Sequence, residues 1–136
     1  AVVKKSIVSN GCEIYGDVQN SVLGAGVVIG KGTFVKDSII MENTVIGENC
    51  VIDKAIIAED VTVADGVAMG IGNDVPNKVK PNIYSFGLVT VGERSAIPAN
   101  VQIGKNTAIS GLTVAEDYVN GVLESGETLI KAGDQA

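Results

Sequence analysis

An all-β parallel solenoid is the fold class this chain predicts, and three observations predict it. Aliphatic residues recur at steps of six or five through Leu23, Ile29, Val35, Ile40, Ile46, Ile52, Ile57, Val63 and Met69. The third residue after the aliphatic is repeatedly Gly, Asn or Asp, at Gly26, Gly32, Asn43, Asn49, Asp60 and Gly66. The composition agrees: there are 17 glycines, Val and Ile dominate the apolar set, and aromatics make up only 4%. A repeat of this kind sets the architecture before any other feature is read. Its period is six and not 3.6, which excludes helices as the repeating unit.

Each element follows from the repeat. In Ile46-Gly47-Glu48-Asn49-Cys50-Val51 the aliphatic points inward and the small residue after it allows close backbone approach. Asn49 stands where residue types tolerant of positive φ recur, so the corner falls there. Cys50 is small enough to fill the interior beside the corner. Three hexads close one triangular coil of about 18 residues, and coils stack at roughly 4.8 Å into three parallel sheets. Hexad solenoids are associated with a left-handed coil, against the usual crossover preference. That handedness is adopted from the likeness to them, giving a left-handed parallel β-helix.

Residues 1–22 read as a first, less regular coil, with the spacing slipping between Ile14 and Leu23. Regular coils are expected over about 7–69 and again over 91–109, where Val91, Ile97, Ile103 and Ile109 stand six apart with Asn100 and Asn106 at corners. Between them, residues 70–90 break the period with two prolines and several Gly and Asn residues, and are read as an inserted loop. It holds Tyr84 and Phe86, two of five aromatics. They either pack back onto the solenoid or form a contact surface for another domain or subunit. Lys78 and Lys80 there are solvated or bind an anion. Residues 110–136 form a capping tail, with short strands expected at Leu112-Thr113-Val114 and Thr128-Leu129-Ile130.

The composition closes off several function classes. Net charge is −6, Arg94 is the sole arginine, and the lysines are spread along the chain without a cluster, so no basic face for nucleic acid is expected. No apolar run is long enough for a membrane span, and no basic segment followed by an apolar one marks a leader. The opening Ala1-Val2-Val3, without an initiator Met, reads as part of a longer protein. Cys12 and Cys50 read as reduced, buried thiols. The histidine count is zero. Hexapeptide acyltransferases typically use a histidine base, and carbonic anhydrases of this architecture hold zinc with three histidines, so neither chemistry is expected. No Ser/His/Asp set, Cys/His pair or metal cluster can be assembled. Glu42, Glu48, Asp53, Glu59 and Asp60 fall at turn positions as solvated acids, and Gly30-Lys31-Gly32 and Gly70-Ile71-Gly72 open no helix that could cradle phosphate. No catalytic residue and no metal site is predicted.

The order of segments is similar to a known family. Asn20–Gly24, Val35–Met41 (VKDSIIM), Ile46–Asn49 and Ile52–Ile57 (IDKAII), then Gly87–Val91 (GLVTV) with Ala96-Ile97-Pro98, resemble the C-terminal domain of glucose-1-phosphate adenylyltransferases. The resemblance implies a parent enzyme that makes ADP-glucose and pyrophosphate from ATP and glucose 1-phosphate in glycogen biosynthesis, in the cytoplasm. Catalysis, Mg²⁺ and ATP would belong to an N-terminal catalytic domain of the same chain, with no activity in this stretch. The β-helix would serve assembly, as a homo- or hetero-oligomer, and part of a site for an anionic small-molecule effector. Lys54 and Arg94 are the effector-binding candidates and Tyr84 and Phe86 the interface candidates. The family's basic position after the VTV strand falls on Glu93 here, beside Arg94, and a lysine of plant members falls on Glu59. An equivalent domain of a non-catalytic paralogue or of another sugar nucleotidyltransferase, or a standalone solenoid, are the alternatives.

Overall fold

The computed structural model describes residues 2–131. Short strands follow one another around a triangle. The first coil holds β1 (Val3–Lys4), β2 (Ile7–Val8) and β3 (Glu13–Ile14). The second holds β4 (Asp17–Gln19), β5 (Val22–Leu23) and β6 (Val28–Ile29), and the third β7 (Phe34–Lys36), β8 (Ile39–Ile40) and β9 (Val45–Ile46). Then come β10 (Val51–Asp53), β11 (Ala55–Ile57), β12 (Thr62–Val63), β13 (Ala68–Ile71), β14 (Val89–Val91), β15 (Ala96–Ile97), β16 (Gln102–Gly104) and β17 (Thr107–Ser110). A short 3-10 turn at Ala115–Asp117 precedes β18 (Val122–Leu123) and β19 (Thr128–Ile130). The first face orders β1-β4-β7-β10-β13-β16-β18, the second β2-β5-β8-β11-β14-β17-β19 and the third β3-β6-β9-β12-β15. Every pairing between these strands is parallel. This is the left-handed parallel β-helix class expected from the hexads.

The inward column is the one the spacing marks. Leu23, Ile29, Val35, Ile40, Ile46, Ile52, Ile57 and Met69 are wholly buried, and Val63 is 1% exposed. Burying one such side chain contributes about 1.5–3 kcal/mol. All six corner residues singled out by type adopt positive φ, between 56° at Asp60 and 76° at Gly32.

The coil is tighter than expected. Val18, Val35, Ile52 and Met69 stack, so a coil takes 17 residues and not 18. The missing residue is at the corner from the first to the second face. There Asn20, Asp37 and Lys54 turn at φ of 50–53°, two residues after the aliphatic instead of three. A hydroxyl ladder seals this shorter turn. The Ser38 amide donates to Ser21 Oγ (3.1 Å), the Ala55 amide to Ser38 Oγ (3.0 Å), and each serine hydroxyl donates to the carbonyl two residues earlier. Buried amides must find such partners. Three sixes in a row occur only from Val91 to Ile109, with Asn106 turning that corner at φ 57°.

The slip in the first coil lies between Ile14, which stacks on Ile29, and Val18, which stacks on Val35. The corner is cut to Tyr15-Gly16-Asp17. A Cβ on Gly16 would run into the carbonyl oxygens of Thr33 and Gly30, so only glycine fits the shortcut.

The inserted loop leaves after β13 and returns at β14, so Gly70 and Ile71 belong to a strand. Ile40, Ile57 and Val91 stack, and the coil carrying the insert is therefore 34 residues long against 17 before it. The tail does more than lie across the end: β18 extends the first face and β19 the second. The strand expected at 112–114 is a single bridge from Leu112 to Ala96, because the chain turns there into the 3-10 segment. The strand at Val122–Leu123 carries no hexad signal and was not anticipated.

Candidate functional site

No group of three or more His, Cys, Asp or Glu side chains converges among the described residues, so no metal centre is formed there. Cys12 is half-buried and Cys50 buried, and both are free thiols. Burial pushes the Cys50 thiol above its ordinary pKa.

The notable surface is the insert and the corner beneath it. Asn77 is the tether: it is 2% exposed although it sits in a loop. Its Nδ2 donates to the Asn106 carbonyl (2.8 Å) and Thr128 Oγ1 (3.1 Å), and its Oδ1 accepts from the amides of Val79 and Lys80 (2.9 Å each). Asn106, also 2% exposed, grips both ends of the loop. Its Nδ2 donates to Asp74 Oδ1 (2.6 Å) and the Val75 carbonyl (2.8 Å), and its Oδ1 accepts from the Gly87 amide (2.8 Å). Lys78 pairs with Glu127 on the tail, which holds the ammonium's pKa up. Gly126 must lack a side chain because the Pro76 carbonyl lies 2.6 Å from where its Cβ would be.

The loop presents a cleft of about 310 Å³ lined by Asp74, Pro76, Pro81, Tyr84, Ser85, Phe86 and Asn106. Tyr84 is half-buried in it. Phe86 is 85% exposed and turns at φ 60°, so it does not pack back onto the solenoid. A bulky residue in that backbone region is an outlier held by its surroundings. Phe86 is followed by Gly87 at φ 75°, and the Asn106 bond to the Gly87 amide fixes this turn.

Lys54 and Arg94 are both corner residues, at φ of 53° and 57°. They stand at opposite edges of the second face, since Lys54 leads into β11 and Arg94 follows β14, the next strand on that face. The structure does not bring them together. Arg94 lies 3.4 Å from Glu93, and both are more than half exposed. Lys54 instead lies on the same side of the turn as Lys105: the stems of both come within 4 Å of where a Cβ on Gly87 would stand. Next to Lys54, Asp53 has a buried Oδ1 without a hydrogen-bond partner. Lys36 lies one rung below, beside Asp53 in register. Lysines far apart in the chain thus gather at one corner, and Lys105 is the member that spacing missed. The insert hides its alignment with Lys54, which appears only once the long coil is counted.

These features define a hexapeptide-repeat β-helix with a side loop. The profile of the GlmU-like, C-terminal hexapeptide family matches residues 1–91, and the chain belongs to that family. It is 66% identical over 134 residues to the glucose-1-phosphate adenylyltransferase of Lachnospira eligens, a match covering 98% of this chain and 32% of the relative. The enzymes of the same name from Acetivibrio thermocellus and Ruminiclostridium cellulolyticum are 47% and 58% identical, over 97% and 98% of this chain and 31% of each relative. The chain spans about a third of the length of these relatives and matches their C-terminal part. Among solved structures, the acetyltransferase domain of PglB from Neisseria gonorrhoeae superimposes with a TM-score of 0.35 and 17% identity, over 96% of this chain and 54% of that one.

Proposed function

We propose that this chain is the C-terminal assembly and regulatory part of a glucose-1-phosphate adenylyltransferase. The whole enzyme would join ATP and glucose 1-phosphate into ADP-glucose with release of pyrophosphate, in the cytoplasm, for glycogen synthesis. Identity along nearly the whole chain to enzymes of that name carries the reading. The empty histidine count supports it from the other side, because it removes the acyl-transfer and zinc chemistries known on hexapeptide solenoids. Catalysis, with its Mg²⁺ and ATP, belongs to the preceding N-terminal part. The solenoid contributes a rigid spine for assembly into a homo- or hetero-oligomer. Lys54, with Lys105 beside it, and Arg94 are the cations offered to an anionic effector, and Tyr84 and Phe86 the aromatic contacts of the loop.

The test is a pyrophosphate-release assay on the full-length protein and on residues 1–136 alone. The full-length protein turns over ATP with glucose 1-phosphate, and the 136 residues do not. Turnover by the 136 residues, or none by the full-length protein, refutes the reading.

A further inference from the structure

The chain holds two Asn-Gly pairs, Asn10-Gly11 and Asn120-Gly121, and every other asparagine precedes a residue with a side chain. In this dipeptide the asparagine amide is most open to attack by the backbone nitrogen that follows it, because glycine has no side chain to shield that nitrogen. Both asparagines are exposed. The fold treats the two pairs differently.

Gly11 is a corner residue of the first described coil, at φ 77°. Gly26, Asn43, Asp60 and Arg94 turn the same corner on the coils that follow. Each of their amides donates to the carbonyl just before the corner below it: Gly26 to Asn10 (3.0 Å), Asn43 to Ala25 (2.9 Å), Asp60 to Glu42 (3.0 Å) and Arg94 to Glu59 (2.9 Å). The Gly11 amide has no such acceptor among the described residues, and the residue is exposed. The Gly26 amide is the one described bond on the Asn10–Gly11 peptide. The corner is also uncrowded, since the nearest atom lies 3.8 Å from where a Cβ on Gly11 would stand.

Asn120-Gly121 is tied down on several sides. Gly121 is half-buried, its amide donates to the Tyr118 carbonyl (3.4 Å), and its own carbonyl accepts from the Gln102 amide (2.8 Å). The Val122 amide closes the turn on the Val119 carbonyl (3.0 Å). Bringing the Gly121 nitrogen onto Asn120 Cγ rotates this peptide and disturbs all three bonds. The same rotation at Asn10 disturbs one. Local opening is least costly where few backbone bonds are broken.

We infer that Asn10 is a site of spontaneous deamidation and isoaspartate formation, and that hydrogen bonding of its turn protects Asn120. Hydroxide takes the proton of the Gly11 amide, and the nitrogen attacks Asn10 Cγ. The Cγ–Nδ2 bond breaks, Nδ2 takes a proton from water and leaves as ammonia, and a succinimide closes. Water then opens either carbonyl of the ring, giving aspartate or isoaspartate. The net change is one water consumed and one ammonia released, with no change of oxidation state. The isoaspartyl product routes the backbone through Cβ and turns the carbonyl that held the Gly26 amide into a free carboxylate. The first coil thereby gains a negative charge and loses its tie to the second at this corner.

The experiment uses the full-length protein, held folded at mildly alkaline pH and, in parallel, unfolded in urea at the same pH. Conversion of the two asparagine peptides is followed by mass spectrometry, with fragmentation that distinguishes isoaspartate from aspartate. In the folded protein Asn10 is expected to convert at least tenfold faster than Asn120, and in urea the two rates should converge. Asn10→Gln, whose longer side chain would have to close a six-membered ring, should remove the signal at the first site. Conversion of Asn10 no faster than that of Asn120 in the folded protein overturns the inference. A ratio that survives in urea assigns the difference to local sequence and overturns it equally, as does a signal that persists in the Asn10→Gln variant.

Discussion

The corner residues carry the most information per position. Asn43 and Asn100 stand one coil above Gly26 and Gly66, and each asparagine Oδ1 occupies the space a Cβ on the glycine below would need. Small and asparagine corners are thus coupled in pairs, which residue type at one corner does not reveal. Gly66, at φ 73°, is the sharpest case. Gly66→Ala is expected to cost about 1–2 kcal/mol from the left-handed backbone alone, with more from the contact with Asn100. Adding Asn100→Gly should recover only the contact part, read from urea midpoints as a double-mutant cycle. An unchanged midpoint for the single variant would refute the coupling. Cys50 gives a pH prediction. Burial raises its thiol pKa, so the fold favours the neutral form. The unfolded thiol ionises first as pH rises past about 8.5. The thiol's contribution is therefore complete below that pH and is lost above it. Cys50→Val, which matches Val67 on the next rung, should lose less stability than the parent between neutral pH and pH 10 in thermal melts. Identical alkaline slopes for the two would count against this cause.

At the scale of elements, strands of two to four residues have no independent stability and exist because each is paired to its neighbours, on both sides for all but the end strands of each face. The insert tests a different principle. A 17-residue excursion without strands would be mobile if it were only tethered at its ends, yet Asn77 and Asn106 tie it to β17 and β19. Asn77→Ala leaves the Asn106 carbonyl and the amides of Val79 and Lys80 without this partner, at a cost of about 1–3 kcal/mol. Amide exchange across residues 74–88 should accelerate at least tenfold while β10–β12 remain protected. Uniform acceleration throughout the chain would show that the asparagine stabilises the solenoid and not the loop. The period break at Gly72 is legible in the prolines and glycines. The tether is not, because a lone Asn in a loop looks like any turn residue until its partners, 29 and 51 residues away, are brought beside it.

For the whole molecule, three columns of aliphatics, one down each face, meet in one core and hold the three sheets together, so damage to one rung propagates. Ile46→Lys or Ile52→Lys places a charge where the side chain is wholly buried, an expense of several kcal/mol without a partner. Each should abolish the cooperative thermal transition followed by circular dichroism, and a soluble variant with the parent midpoint would refute the inward assignment. The solenoid, its inward column and its six regular corners follow from sequence alone, because a local period of six imposes a strand and a turn before any distant contact forms. The same reading put the coil at 18 residues, since the five-residue steps are visible but not which corner they shorten. It also left the lysines scattered. Stacking decided both: a coil of 17 brings Lys36 and Lys54 onto adjacent rungs, and the doubled coil of the insert adds Lys105. Periodicity is a property of neighbours along the chain, whereas charge clusters are properties of neighbours across coils, and only the closed triangle determines which residues those are.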